Sequence, residues 1–196
     1  MGFSKLWADV CGQPLLARAL AAASAAEPGE LVVVVSNDRL EQTRALSPVA
    51  RVVEGGVRRR DSVAAGLSAT SAEWLAIHDA ARALAPPDLF RRGLDAARAT
   101  GAAVPGVPLK DTIKRVADAR VIATPDRAEH VAIQTPQVFR RDLLERALAL
   151  TNEDVTDEAA LVEQLGVQVA VFAGDERAFK VTTPIDLALV RALLAS

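Results

Sequence analysis

A doubly wound α/β fold with a mostly parallel sheet and a protruding β-hairpin arm is what this chain predicts, and three stretches carry the prediction. Leu31 to Ser36 reads L-V-V-V-V-S, β-branched and apolar on both faces, as strands buried inside parallel sheets are. Short runs of this kind alternate with helix-patterned segments through the first hundred residues, the order that builds a parallel sheet through right-handed crossovers. The alternation then breaks at 108–135, where residues of high β-propensity flank Ala117-Asp118-Ala119 in the manner of a hairpin.

Pro14 opens an alanine-rich helix that reaches about Ala26 and stops at Pro28-Gly29. After the strand at 31–36, Asn37 and Asp38 offer caps for a short helix to about Leu46, and Arg51 to Val53 is a second short strand. Gly55 and Gly56 then form a tight turn, Asp61 or Ser62 begins a helix, and the plain alternative for the arginine triplet Arg58 to Arg60 is a solvated surface. Trp74 to Ile77 is too short for a helix and apolar enough for a buried strand. A helix from Pro87 to about Thr100 and a strand from Ala102 to Pro105 complete the alternating part. Beyond the hairpin, Phe139 to Leu150 and Asp157 to Leu165 are amphipathic helices, the latter with Glu158 in its first turn. Val167 to Phe172 is a strand and Thr183 to Leu194 a closing helix with Pro184 in its first turn. The whole of 1–196 reads as one domain.

Composition excludes several classes of function. A formal net charge of -2 gives no electrostatic case for nucleic acid or a membrane surface, and no apolar run approaches the roughly 18 residues of a span. The N-terminus lacks a basic region followed by an apolar core, so the cytoplasm is the expected location. Cys11 is the only cysteine and His78 and His130 the only histidines, which leaves no zinc-ligand pattern. Lysine is confined to Lys5, Lys110, Lys114 and Lys180, so each of the four invites inspection.

Chemistry is expected first at His78-Asp79-Ala80-Ala81-Arg82, directly after the strand at 74–77, because ligands of open α/β sheets collect past the carboxyl ends of parallel strands. Read alone, the segment is equally a strand end whose Asp79 caps a turn.

Six segments in order, E-G-G-x-x-R-x-D-S-V at 54–63, I-H-D-A-A-R at 77–82, P-L-K-D-T-I-K-R-V at 108–116, Q-T-P-Q-V-F at 134–139, T-D-E-A at 156–159 and F-K-V-T-T-P-x-D-L at 179–187, decide between those readings. Together they resemble the 2-C-methyl-D-erythritol 4-phosphate cytidylyltransferases of the non-mevalonate isoprenoid pathway. The resemblance implies a Rossmann-like nucleotidyltransferase in which the phosphate of methylerythritol phosphate attacks the α-phosphorus of CTP and pyrophosphate leaves. It implies that Lys5 and Lys180 hold the triphosphate, and that Gly55, Gly56, Ser62 and Ala80 form the CTP pocket. Asp79, Arg82, Thr112, Arg127, Thr135 and Thr156 would surround the methylerythritol phosphate, and Mg2+ would be carried mainly by the CTP phosphates. Thr112 and Arg127 lie on the hairpin, and a two-stranded ribbon is marginal alone, so the implied assembly is a homodimer in which the arm completes the partner's pocket. His78 and His130 read as structural.

Two departures stand out. The family has proline after H-D-A-A-R where this chain has Ala83. Its opening strand and Gly-rich loop, with a phosphate-binding arginine, have no counterpart ahead of G-F-S-K-L-W at 2–7. From this the chain as written is expected to expose strand edges beside Leu31 to Ser36, to be poorly active and to be prone to aggregate, with about 20 upstream residues of the strand and Gly-turn type restoring turnover. The rival readings are another sugar-phosphate nucleotidyltransferase, or a truncated dimeric binding module without catalysis.

Overall fold

The computed structural model describes residues 3–150 and 157–195. A 3-10 turn at Phe3–Trp7 leads into a small antiparallel hairpin of β1 (Asp9–Val10) and β2 (Gln13–Pro14), in a stretch where the sequence offers no strand signal. Helix α1 (Leu15–Ser24) buries Leu16 and Leu20 against Val33, Val35 and Val52. These valines belong to β3 (Val32–Val35) and β4 (Arg51–Glu54), a parallel pair joined through α2 (Leu40–Leu46). Helix α3 (Arg59–Ser68) lies on β3 so closely that a Cβ on Gly66 would stand 3.1 Å from Val34 Cγ2.

The larger sheet runs in the order β11, β6, β10, β5. Its strands are β5 (Trp74–Ile77), β6 (Ala102–Pro108), β9 (Val131–Ile133), β10 (Gln137–Arg140) and β11 (Ala170–Ala173), and β7 (Arg115–Ala117) with β8 (Arg120–Ala123) makes the separate hairpin of the arm. Alternation along β6 sorts the core. Ala102 and Val104 face Phe139, Leu144 and Leu161 on the side of α5 (Arg141–Leu150) and α6 (Glu158–Glu163). Ala103 faces Val138 and Trp74 on the side of α4 (Asp88–Ala97). Helix α4 buries Leu89, Gly93 and Ala97, one residue per turn, and a Cβ at Gly93 would come within 2.8 Å of Val138. Helix α7 (Pro184–Ala195) closes the chain, packing Val190 beside Val10 and Leu15.

Helices cover both faces, as a doubly wound sheet requires, but the larger sheet is mixed. Strand β11 runs parallel to β6, while β9 and β10 run antiparallel to it and β10 is antiparallel to β5 as well. The cause is the arm: the chain leaves the end of β6 through the hairpin and returns alongside it, and a hairpin return is necessarily antiparallel. The expected helix start at Phe139 therefore gives way to β10, with α5 beginning at Arg141. Strand β6 likewise runs on to Pro108 instead of ending at Pro105. Among the described residues β3 pairs only with β4 and β5 only with β10, so each has one edge without a strand partner.

Candidate active site

Strand β5 delivers His78 and Asp79 to the carboxyl end of the larger sheet, where the chain turns with Arg82 N–H donating to the Asp79 carbonyl at 2.9 Å. Val181 N–H donates to the Ala81 carbonyl at 2.9 Å, which ties the segment carrying Lys180 to this turn. The result is a cluster centred on one carboxylate. Asp79 Oδ2 lies 3.0 Å from Lys180 Nζ and 3.6 Å from Arg82 Nε, and its Oδ1 lies 3.9 Å from the Arg59 guanidinium. Burial pushes the Asp79 carboxyl up, but the Lys180 hydrogen bond and the charges of Lys180, Arg59 and Arg82 outweigh it and hold the group below the usual carboxylate range. Arg82 is shifted down by its own burial, against the pull of Asp79, and donates from Nη1 to the Ala178 carbonyl at 2.8 Å.

Each arginine of the triplet has a partner, although only Arg60 is buried and Arg58 and Arg59 stay 39% and 38% exposed. Arg58 pairs with Asp61 at 2.7 Å, which fastens the first turn of α3. Arg60 is buried and donates to the Leu148 carbonyl at 2.8 Å. Arg59 is bound to Glu158, whose side chain is only 1% exposed at the start of α6. An acidic residue in the first turn of a helix reads in sequence as a dipole partner in water, and Arg59 is visible there only as the fixed arginine of E-G-G-x-x-R. Neither signal can join two residues 99 positions apart. Gln137 also escapes a sequence reading: 2% exposed, it donates to Asp157 Oδ2 at 3.0 Å, while Asp157 Oδ1 caps α6 by accepting from Ala160 N–H at 3.1 Å.

The expected CTP pocket sits between β4 and α3. Gly55 continues the parallel ladder through its N–H to the Val35 carbonyl at 2.8 Å, and a Cβ there would meet Ser62 Oγ at 2.7 Å. At Gly56 a Cβ would fall 2.2 Å from that of Asp61. Both glycines are thus required by the close fit of the turn on the helix. Ser62 Oγ lies 3.4 Å from the Gly56 carbonyl and 3.3 Å from that of Arg58. Ala80 packs against both the cluster of Val10, Leu15, Val181 and Val190 and that of Leu16, Val33, Val35 and Val52.

Lys5 stands apart from the Asp79 cluster, lining a cavity of about 200 Å³ with Ala8, Val181, Thr182, Thr183, Pro184 and Leu187. Lys180 does not line this cavity, although Val181, the next residue, does. Thr135 is buried beside Asp79. Thr112 and Arg127 are exposed on the arm, where Arg127 donates to the Lys110 carbonyl at 2.6 Å, and no hydrogen bond or ion pair among the described residues brings either to Asp79. Thr156 lies outside the described residues. No group of three or more His, Cys, Asp or Glu able to hold a metal ion is present among the described residues, and the Asp79 carboxylate is taken up by cations.

A Rossmann-like sheet with lysine and arginine gathered around one aspartate past a strand end is the framework of a nucleotidyltransferase, a class that handles phosphate by placed positive charge. The chain belongs to the 2-C-methyl-D-erythritol 4-phosphate cytidylyltransferase family, whose model matches residues 1–196. It is 44% identical over 195 residues to the enzyme of that name from Rhodococcus jostii, covering 97% of this chain and 86% of the relative. A crystal structure of the Thermus thermophilus enzyme superposes with a TM-score of 0.86 at 34% identity, over 98% of this chain and 94% of the other. The 4-diphosphocytidyl-2C-methyl-D-erythritol synthase of Anaerococcus prevotii gives a TM-score of 0.90 at 28% identity, over 97% and 93%.

Proposed function

We propose that this protein, as one nucleotidyltransferase domain, transfers CMP from CTP to 2-C-methyl-D-erythritol 4-phosphate and releases pyrophosphate, a step in isoprenoid precursor biosynthesis. The observation that carries the reading is the cluster in which Asp79 holds Lys180, Arg82 and Arg59 at the end of β5. A phosphate monoester is already a nucleophile at neutral pH, so the protein's work is to align it with the α-phosphorus and to neutralise charge as the pyrophosphate leaves. Lys180, fixed by Asp79 yet 45% exposed, is placed to do this, with Lys5 on the triphosphate from the neighbouring cavity wall. Gly55, Gly56, Ser62 and the backbone of Ala80 are assigned to CTP, and Asp79, Arg82, Thr112, Arg127, Thr135 and Thr156 to the sugar phosphate. Mg2+ is assigned to the triphosphate oxygens, since the described residues offer no cluster of ligands for it. Pyrophosphate release should require methylerythritol phosphate and favour CTP; equal turnover with UTP or with unrelated sugar phosphates would overturn the assignment.

The pocket is further proposed to be shared between two subunits. Val116, Val121 and Ile122 on the arm and Val131 and Ile133 on β9 are large apolar side chains left exposed, while Thr112 and Arg127 sit on the same arm away from Asp79. A second copy docking across a two-fold axis would bury the apolar set and carry both polar residues to its partner's sugar phosphate. Light scattering should report a dimer, and a monodisperse monomer with full activity at assay concentration would contradict the docking and the shared pocket alike. No helix among the described residues is long and apolar enough to cross a membrane, and a cytoplasmic location is the proposal that goes with soluble substrates.

A further inference from the structure

We infer that His78 is a positioning residue: its imidazole takes the hydroxyl proton of Thr135, so that Thr135 faces the Asp79 turn and the substrate only as an acceptor. Thr135 Oγ1 accepts from Asp79 N–H at 2.9 Å and lies 3.0 Å from His78 Nδ1. His78 Nε2 lies 3.3 Å from the Arg82 carbonyl oxygen, which can only accept. Nε2 therefore carries the ring proton, Nδ1 of the neutral ring is bare, and the one proton between Nδ1 and Oγ1 belongs to the hydroxyl. Two chains of donation follow, from Asp79 N–H through Thr135 to His78 Nδ1, and from His78 Nε2–H to Arg82. They grip the turn at its first and last residues and bind it to the segment between β9 and β10.

A doubly protonated ring would reverse the Thr135 bond and free the hydroxyl to donate to a phosphate. The surroundings oppose that form. The ring packs against Phe90 with centroids 5.1 Å apart, and the charged groups beside it are Asp79 and Arg82 of its own turn, whereas Thr135 and Phe90, from the other elements that touch it, carry no charge. Burial is the main cause that pushes the imidazole down to about 4. The buried hydroxyl of Thr135 thus has its proton committed and one lone pair free, which suits a sugar hydroxyl and does not suit a phosphate oxygen. This rests on the proposed sugar-phosphate site, and deepens it.

The test has three readouts, spectroscopic, kinetic and thermodynamic. Nitrogen-15 spectra of the full chain should show His78 as the neutral Nε2–H tautomer from pH 8 down to about 5; a protonated Nδ1 in that range overturns the inference whatever the substrate proves to be. Kinetically, His78→Asn keeps an acceptor oxygen near Nδ1, whereas His78→Phe removes both bonds and keeps the packing. His78→Phe should raise the KM for methylerythritol phosphate about tenfold, the loss expected of one hydrogen bond of ordinary strength, with the KM for CTP little changed and His78→Asn recovering most of the difference. Equal losses in both variants, or a loss confined to CTP, overturn it. If the wild-type enzyme does not turn over methylerythritol phosphate, the functional reading fails and the tautomer still judges the role of His78. Should His78→Phe fail to fold, His78→Gln, which keeps a donor for Arg82 and loses the acceptor for Thr135, replaces it with the same expected rise. Acid stability gives the sign as well: with the folded value below the unfolded 6.5, the unfolded chain takes the proton first, so stability falls as pH drops from about 6.5 to about 4. That fall should be shallower in His78→Asn.

Discussion

Lys180→Ala is expected to lower the rate of CTP-dependent pyrophosphate release a hundredfold or more, about 3 kcal/mol of transition-state stabilisation. The lysine is the cation most directly fixed by Asp79, at 3.0 Å, and remains exposed enough to meet a ligand. Its loss also leaves a largely buried carboxylate facing the substrate's own negative charge, with Arg82 at 3.6 Å and Arg59 at 3.9 Å as weaker company. The effect should fall on kcat with thermal stability near the wild-type value, because the ammonium is nearly half exposed. Lys180→Arg should not restore the rate, since a planar fork cannot replace a compact charge in this geometry. Steady-state kinetics on purified variants check the point, and an unchanged rate for Lys180→Ala would return it to a solvated lysine.

Arg59→Ala should act on the fold instead. It leaves Glu158, 1% exposed, without its cationic partner, and because Arg59 itself is 38% exposed the cost falls below that of a fully buried pair, to roughly 1–2 kcal/mol. For a chain of this size that corresponds to a Tm lower by roughly 2–8 °C. Adding Glu158→Gln to the Arg59→Ala variant should recover part of the loss, because a buried amide is cheaper to leave than a buried carboxylate. A calorimetric scan of the two variants decides it: no drop, or no recovery, would mean that Glu158 finds other partners in solution.

What is legible in the sequence is local and periodic. Strand β5 coincides with its expected bounds at Trp74 and Ile77, and the hairpin turn at 117–119 is where β-propensity on both sides places it. The arrival of His78, Asp79 and Arg82 past a strand end follows from strand length alone. Three things are hidden for physical reasons. The mixed sheet depends on where the arm returns, which no period encodes, and so β10 reads as the first turn of α5. The Arg59–Glu158 pair joins the starts of two helices distant in sequence, each of which looks like an ordinary solvated first turn. Gly55 and Gly56 mark a tight turn in the sequence, and neither has positive φ; that they clear Ser62 and Asp61 is a steric fact visible only once α3 is in place.

The route of the chain out of the arm has a consequence for how the enzyme behaves on dilution. Strand β9 carries the exposed Val131 and Ile133, and the next two residues are Gln134, held by Asp175, and Thr135, held by Asp79 and His78. The proposed intersubunit surface and the proposed sugar-phosphate site are therefore consecutive on one strand-and-turn segment, with no flexible linker to uncouple them. In the proposed dimer, binding of the mate and binding of the sugar phosphate would be linked equilibria, each changing the other by the same factor. Specific activity would then depend on protein concentration through mass action, and with a coupling of positive sign saturating sugar phosphate would lower the concentration at which half of it is lost.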